Sequence, residues 1–211
     1  MISELITNEL NKLREKFAYQ ITDVNWGSWT LHLKETIAKI PFDKHENLDK
    51  LYSNLATCAS GNSEFFAEGE WLYDLVWYEM DRSVDVSDGM HVMKSIPLVM
   101  ESEMSKKDWG GFKEDFDKLL VASASTKLFV TCKKKNESEE NGLKKKLDYA
   151  QKAVNSFVFC EQVDVIVWNE EFMHIDEPFE LIKIKKNEPY RSKFLSGDFN
   201  ISAQNSMITP S

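Results

Sequence analysis

The sequence predicts an α/β protein, a mixed central sheet flanked by helices and preceded by a helical N-terminal extension. Apolar residues recur at three- and four-residue intervals over the first quarter and again in two later segments. Short apolar or alternating runs of strand length lie between and after those segments. A chain of 211 residues, 42% hydrophobic and 29% charged, suits one domain with a full core.

Ile2, Ile6, Leu10, Leu13 and Phe17 draw one apolar stripe along residues 2–19, an amphipathic helix that should dock on a core. After a turn at Asn25-Trp26-Gly27-Ser28, residues 30–40 read as a second helix stopped by Pro41. A third runs over 45–59, with Leu48, Leu51, Tyr52 and Leu55 on one side and Gly61-Asn62 ending it, so residues 1–60 form the extension. The period then changes. Strands are expected at 70–78 and 95–103, with turns and a short strand near 83–86 between them. Asp108-Trp109-Gly110-Gly111 opens a helix to about Ala122 that turns Phe112, Phe116, Leu119 and Leu120 inward. A strand at 127–132, a polar loop at 133–142 and a helix at 143–157 come next. Residues 163–168, apolar but for Asp164, read as a strand of the kind buried on both faces, and 179–186 alternate like an edge strand. Residues 61–186 are thus the α/β core of a single domain spanning 1–211, and 187–211 a C-terminal tail.

No run approaches the roughly 18 uncharged apolar residues of a membrane span, and the N-terminus lacks the basic and apolar regions of a secretory signal. A cytoplasmic protein without a membrane partner is expected. Cys58, Cys132 and Cys160 are odd in number, widely spaced and set in apolar context, which reads as reduced core thiols. The net charge of −9 is uneven: residues 1–126 hold 13 Lys and Arg against 22 Asp and Glu, residues 127–211 hold 13 of each. A chain this acidic does not attract a polyanion overall, so any nucleic-acid contact must be local. The material for it is Lys133-Lys134-Lys135, Lys144-Lys145-Lys146 and the stretch with Lys183, Lys185, Lys186, Arg191 and Lys193. Such clusters are more often solvated surface.

Chemistry is suggested by Ile96-Pro-Leu-Val-Met-Glu-Ser-Glu103, an apolar run ending in two carboxylates. Alternate residues of a strand share a face, so Glu101 and Glu103 would point the same way, roughly 7 Å apart. Two such acids repel unless a cation or proton lies between them. Asp74, in the apolar stretch Tyr73-Asp74-Leu75-Val76-Trp77, also needs a partner. Three acids on neighbouring strands suit a hard cation, Mg²⁺ or Mn²⁺, which takes oxygen ligands and keeps several waters. The bland alternative is that Glu101 and Glu103 leave the sheet end into solvent while Asp74 is tied to a lysine or a backbone amide.

These residues resemble the restriction-endonuclease-like nuclease family, known by its Pro-Asp…(Asp/Glu)-X-Lys motif, over about residues 45–170. The resemblance implies a core of helix, three strands, helix and strand. Asp74 matches the first acid and Glu101-Ser102-Glu103 the second motif, with the helix Asp115-Phe116-Asp117-Lys118-Leu119-Leu120 after it. It further implies that Asp74, Glu101 and the carbonyl of Ser102 hold Mg²⁺ or Mn²⁺, with Glu103 as a third ligand or the base, and that an acid before the first strand (Glu64, Glu68 or Glu70) assists. The implied activity is hydrolysis of nucleic-acid phosphodiesters. Tyr73 stands where the family often has Pro, and Glu103 replaces the usual Lys. A Lys orients the attacking water and offsets transition-state charge, which a Glu cannot do. Lys118 on the next helix can take that place, or can simply pair with Glu114 or Asp115 at helical spacing.

His32, His45, His91 and His174 lack zinc-ligand spacing and read as structural or surface residues, with a place at the site for His91 as the lesser alternative. Trp109, beside the motif strand, is the tryptophan to watch for base stacking. There is no phosphate-cradling glycine loop and no Gly-X-Ser-X-Gly elbow. The competing reading is a nuclease-like protein without cleavage, a binding or regulatory module whose acidic half meets a basic protein partner. A homodimer is common among enzymes that cut both strands. A sugar hydrolase fits less well, because same-face acids on one strand lie too close to flank a bond.

Overall fold

The computed structural model describes residues 1–12, 26–43, 45, 48, 50–52, 54–59, 67–68, 72–86, 90–104, 109–134, 142–170 and 177–196. Among them the chain order is α1 (Ile2–Lys12), α2 (Trp26–Lys39), a 3-10 turn (Ile40–Phe42), β1 (Leu55–Ala59), β2 (Ala67–Glu68), β3 (Leu75–Val86) and β4 (Met90–Glu103). Then come α3 (Trp109–Val121), β5 (Thr126–Lys133), α4 (Leu143–Ser156), β6 (Gln162–Asn169), β7 (Phe179–Lys185) and the short α5 (Lys193–Ser196).

One mixed sheet runs β2-β1-β3-β4-β5-β6-β7. β1, β3 and β4 form an antiparallel meander, β4, β5 and β6 are parallel, and β7 returns antiparallel on the edge. Parallel neighbours require a crossover, and α3 and α4 supply the two. Both connections step in the same direction across the sheet, so a common hand places both helices on one face. There Phe112, Phe116, Leu119, Leu147, Ala150 and Val154 pack on Val76, Val99, Phe129, Val165 and Val167. The opposite face carries Leu75, Trp77, Leu98, Met100, Val130 and Ile166, covered by Ile2, Ile6 and Leu10 of α1 and Leu33 and Ile37 of α2. The result is three layers, with β6 buried on both sides, including Asp164, whose carboxylate accepts from Ser3 and Gln162.

The later elements match their sequence signals to within a residue or two, including the edge position of β7 and the three buried free thiols. The N-terminal third differs. The second helix starts at Trp26, running through the residues expected to turn, and ends at Lys39, one residue before Ile40-Pro41-Phe42 tightens into the 3-10 turn. Leu55–Ala59, expected to close a third helix, is a strand paired with β3. Its apolar side chains are worth more against the sheet than in an isolated turn, and Thr57, Cys58 and Ala59 are buried there. The expected strand at 70–78 begins only at Leu75, because Leu72, Tyr73 and Asp74 form a bend. β3 and β4 then continue to Val86 and from Met90, so the interval expected to hold turns is a long hairpin arm. Residues 13–19 of the first expected helix and 197–211 of the tail lie outside the described residues, as do most of the polar loop at 133–142 and His174.

Candidate functional site

β4 ends on the sheet's C-terminal side as Met100-Glu101-Ser102-Glu103, level with Leu128 to Thr131 of β5. Strand alternation sorts these side chains between the two faces. Glu101 shares a face with Val99 and is turned toward α3, while Ser102 shares the face of Met100 toward α1 and α2. β3 enters beside them, Leu75 opposite Met100, so Asp74 lies next to the backbone of Glu101 and Ser102 rather than within a strand.

The Asp74 carboxylate is engaged at both oxygens. Oδ2 accepts from the Ser102 amide at 2.9 Å and the Ser102 hydroxyl at 2.7 Å. Oδ1 accepts from Lys34 Nζ at 2.9 Å. Lys34 is a buried lysine of α2, and the clue to it in the sequence is its place on the apolar stripe, three and four residues before Ile37 and Ala38. The lysine and the amide expected as the alternative to a metal are both present.

Glu101 is different. Its side chain is only 3% exposed, yet Oε1 has no hydrogen-bond donor. Lys118 Nζ stands 3.6 Å away, close enough for ionic attraction and too far for a hydrogen bond, because that ammonium is drawn to Asp115 at 2.8 Å. Burial and, after it, the Asp74 charge push the Glu101 carboxyl up to about 8, against a smaller opposing pull from Lys118. A group poised near neutrality by desolvation is a functional-site signal. Tyr73 feels the same surroundings: burial and then the Glu101 charge push its phenol up. Lys118, hydrogen-bonded to Asp115, is pushed up and stays cationic.

The structure therefore brings Asp74, Glu101, Ser102 and Lys118 to one end of the sheet, and adds Lys34, which belongs to no motif in the sequence. Glu103 is half-buried on the same face of β4 as Glu101, and its carbonyl accepts from Thr131 Oγ1 at 2.9 Å. It is not gathered with the other two acids: among the described residues no three His, Cys, Asp or Glu side chains form a metal-holding group. Of the acids before the first motif strand, Glu68 is in strand β2, and Glu64 and Glu70 lie outside the described residues. His91 is on β4, with its side chain outside the described ones, and His32 faces Glu35 on an exposed turn of α2. Among the described residues no helix is long and apolar enough to cross a membrane.

A divalent cation fits this arrangement on one side and is resisted on the other. The orphaned Oε1 of Glu101 lacks a positive partner at bonding distance, which is what a cation supplies. At Asp74 a cation would compete with the Lys34 ammonium, 2.9 Å from Oδ1. No protein-family model, curated protein or solved structure matches the chain, so the chemistry of this site rests on its own geometry.

Proposed function

We propose that the protein is a divalent-metal-dependent nuclease, hydrolysing nucleic-acid phosphodiesters on a divergent restriction-endonuclease-like core. The observation that carries the reading is the buried Glu101 carboxylate, with no donor on Oε1, beside Asp74 and facing Lys118. The order α2, β1, β3, β4, α3, β5, with the two-residue edge strand β2 between β1 and β3 set aside, has an antiparallel meander leading into a parallel crossover and supports it as the helix, three strands, helix and strand of that fold. Lys118 supports it too, since it reaches the acid from the next helix where position 103 offers a Glu.

Asp74 and Glu101 would hold Mg²⁺ or Mn²⁺, which when bound polarises a phosphoryl oxygen and lowers the pKa of a water. Glu101 ionises to do so, and the cation offsets the desolvation that otherwise keeps it protonated. Ser102 fixes Asp74 through amide and hydroxyl. Lys118, kept charged by Asp115, is a standing positive charge for a phosphate and not a proton acceptor.

A second reading is favoured by one contact, the Lys34–Asp74 pair at 2.9 Å. With Glu101 protonated, Asp74 and Asp115 balance Lys34 and Lys118, and the group is neutral without a metal, as in a nuclease-like fold kept for binding a basic partner. Calorimetric titration of Mn²⁺ and Mg²⁺ into the full chain and into Asp74→Asn and Glu101→Gln, with DNA and RNA cleavage in parallel, separates the two. Saturable binding lost in both variants together with metal-dependent cleavage is the expected result. No binding at millimolar metal would leave only the second reading.

A further inference from the structure

A cleft of about 750 Å³ opens between the first turns of α3 and α4, on the flank of α3 away from Glu101. Asp115 and Lys118 face the acids, while Lys113 and Asp117, on another side of the helix, meet Tyr149 of α4. The cleft is walled by Trp109 and Tyr149 and lined, among the described residues, by Lys133, Lys144, Lys145 and Lys152 against a single carboxylate, Asp148. A local excess of three positive charges is unusual in a chain of net charge −9.

The first turn of α4 deepens the anomaly. A helix start favours acids, yet Gly142-Leu143-Lys144-Lys145-Lys146 offers no acid in that turn and a glycine cap without a side-chain hydrogen bond. Lysines concentrated against a positive helix end are a local conflict, of the kind proteins keep where function needs it. Lys144 reaches Asp148 at 2.5 Å, and Lys145 lies 4.5 Å over the Trp109 ring. Both are surface side chains able to swing toward an anion.

We propose that this cleft is a phosphate-binding site, taking the phosphate groups of a polynucleotide or of a nucleotide. Lysines are point charges suited to phosphate, and the first-turn amides of α4 add donors on the same side. Trp109 stacks on Phe112 at 5.5 Å and meets the Tyr149 ring edge-on at 5.5 Å, and Lys145 lies over its ring. Once Lys145 turns to a phosphate, a base can take its place against the Trp109 ring. None of these residues serves the acid site, so phosphate binding here stands even if the hydrolytic reading falls.

The test is fluorescence anisotropy of a labelled single-stranded oligonucleotide of about a dozen nucleotides, titrated with the full chain across a salt series. Saturable binding at low salt is expected. The double variant Lys144→Gln, Lys145→Glu should weaken it about tenfold or more and reduce the log–log salt slope by about two. Lys145→Glu places an acid in the first turn of α4, so its melting temperature should hold or rise, which separates lost binding from lost folding. Competition identifies the source: displacement by ADP well below the concentration needed for inorganic pyrophosphate assigns a nucleotide, and displacement by neither at millimolar concentration assigns a strand. Unchanged affinity in the double variant, equal loss in Glu101→Gln, or no saturable binding would overturn the site.

Discussion

Glu79 and Glu101 sit on adjoining strands, and each is 3% exposed, yet the fold treats them oppositely. Glu79 faces its own hairpin: Oε1 accepts from Lys94 at 3.1 Å and Oε2 from the hydroxyl of Ser95, its register partner, at 3.0 Å. Glu101 has a lysine at 3.6 Å that bonds elsewhere, a bare Oε1 and a second carboxylate nearby. Burial is common to both and distinguishes nothing. The difference is satisfaction, and a buried polar atom without a partner costs about 1–3 kcal/mol. A fold that supplies both partners to one glutamate within a few residues could have supplied them to the other. That it leaves Oε1 of Glu101 without a hydrogen-bond donor is the observation on which the proposed metal site rests.

The largest expected effect breaks the comparison at the level of chemistry. On the proposed nuclease reading, Glu101→Gln should lower metal-dependent cleavage by about 100-fold or more, as for removal of a group acting on transition-state charge. Glu79→Gln should leave the single-turnover rate nearly unchanged. Equal losses in the two variants would mean that both glutamates serve the fold alone.

Stability should reverse the order. Glu79→Ala removes the acceptor of two hydrogen bonds and should cost about 1–3 kcal/mol in urea unfolding. Glu101→Gln exchanges a carboxyl for a neutral amide of the same shape, and should cost little or stabilise the metal-free protein at pH 8.

The two residues also separate by pH. Glu101 is raised from its ordinary 4.5 to about 8, so between those values the folded protein holds a proton that the unfolded chain has released. Its contribution is full below pH 4.5, is lost as pH rises toward 8, and is level above that. Melting temperatures recorded from pH 5 to pH 8.5 should show this decline in the wild type and a flatter profile in Glu101→Gln. Mn²⁺ binding at pH 7 should release up to about one proton, read from titrations in buffers of different ionisation enthalpy. A profile unchanged by the substitution would show that Glu101 titrates normally.

Legibility in the sequence tracks the range of the forces involved. Helices α3 and α4 and strands β5 to β7 declare themselves because their apolar periods are local and unambiguous. Leu48, Leu51, Tyr52 and Leu55 fit helical spacing equally well, but Leu55–Ala59 is decided by hydrogen bonds to β3, some 20 residues on in sequence. At the site, Glu101 and Asp74 stand out as acids in apolar surroundings, and Lys118 shows its Asp115 partner at helical spacing. The second partner of Lys118, Glu101, and the pairing of Asp74 with Lys34 forty residues upstream arise from tertiary packing, which no local pattern encodes. Alternation groups Glu103 with the acids by giving it the face of Glu101. Sharing a face does not bring the carboxylates together when the strand beside it has ended.

The smallest expected effect sharpens the contrast within the site itself. Asp74 accepts from three donors among the described residues, and Ser102 supplies two of them. Ser102→Ala deletes the hydroxyl and keeps the amide, so the loss should be about 0.5–1.5 kcal/mol in urea unfolding, the net worth of one hydrogen bond. The hydroxyl lies on the α1 and α2 side of the sheet and Glu101 on the α3 side, so the alanine should leave the pH profile of the wild type in place. Should the decline between pH 5 and pH 8 shift as well, the two carboxylates are coupled through the β4 backbone more tightly than through the Asp74 charge alone, and the contrast between a tethered acid and a bare one would give way to a single shared site.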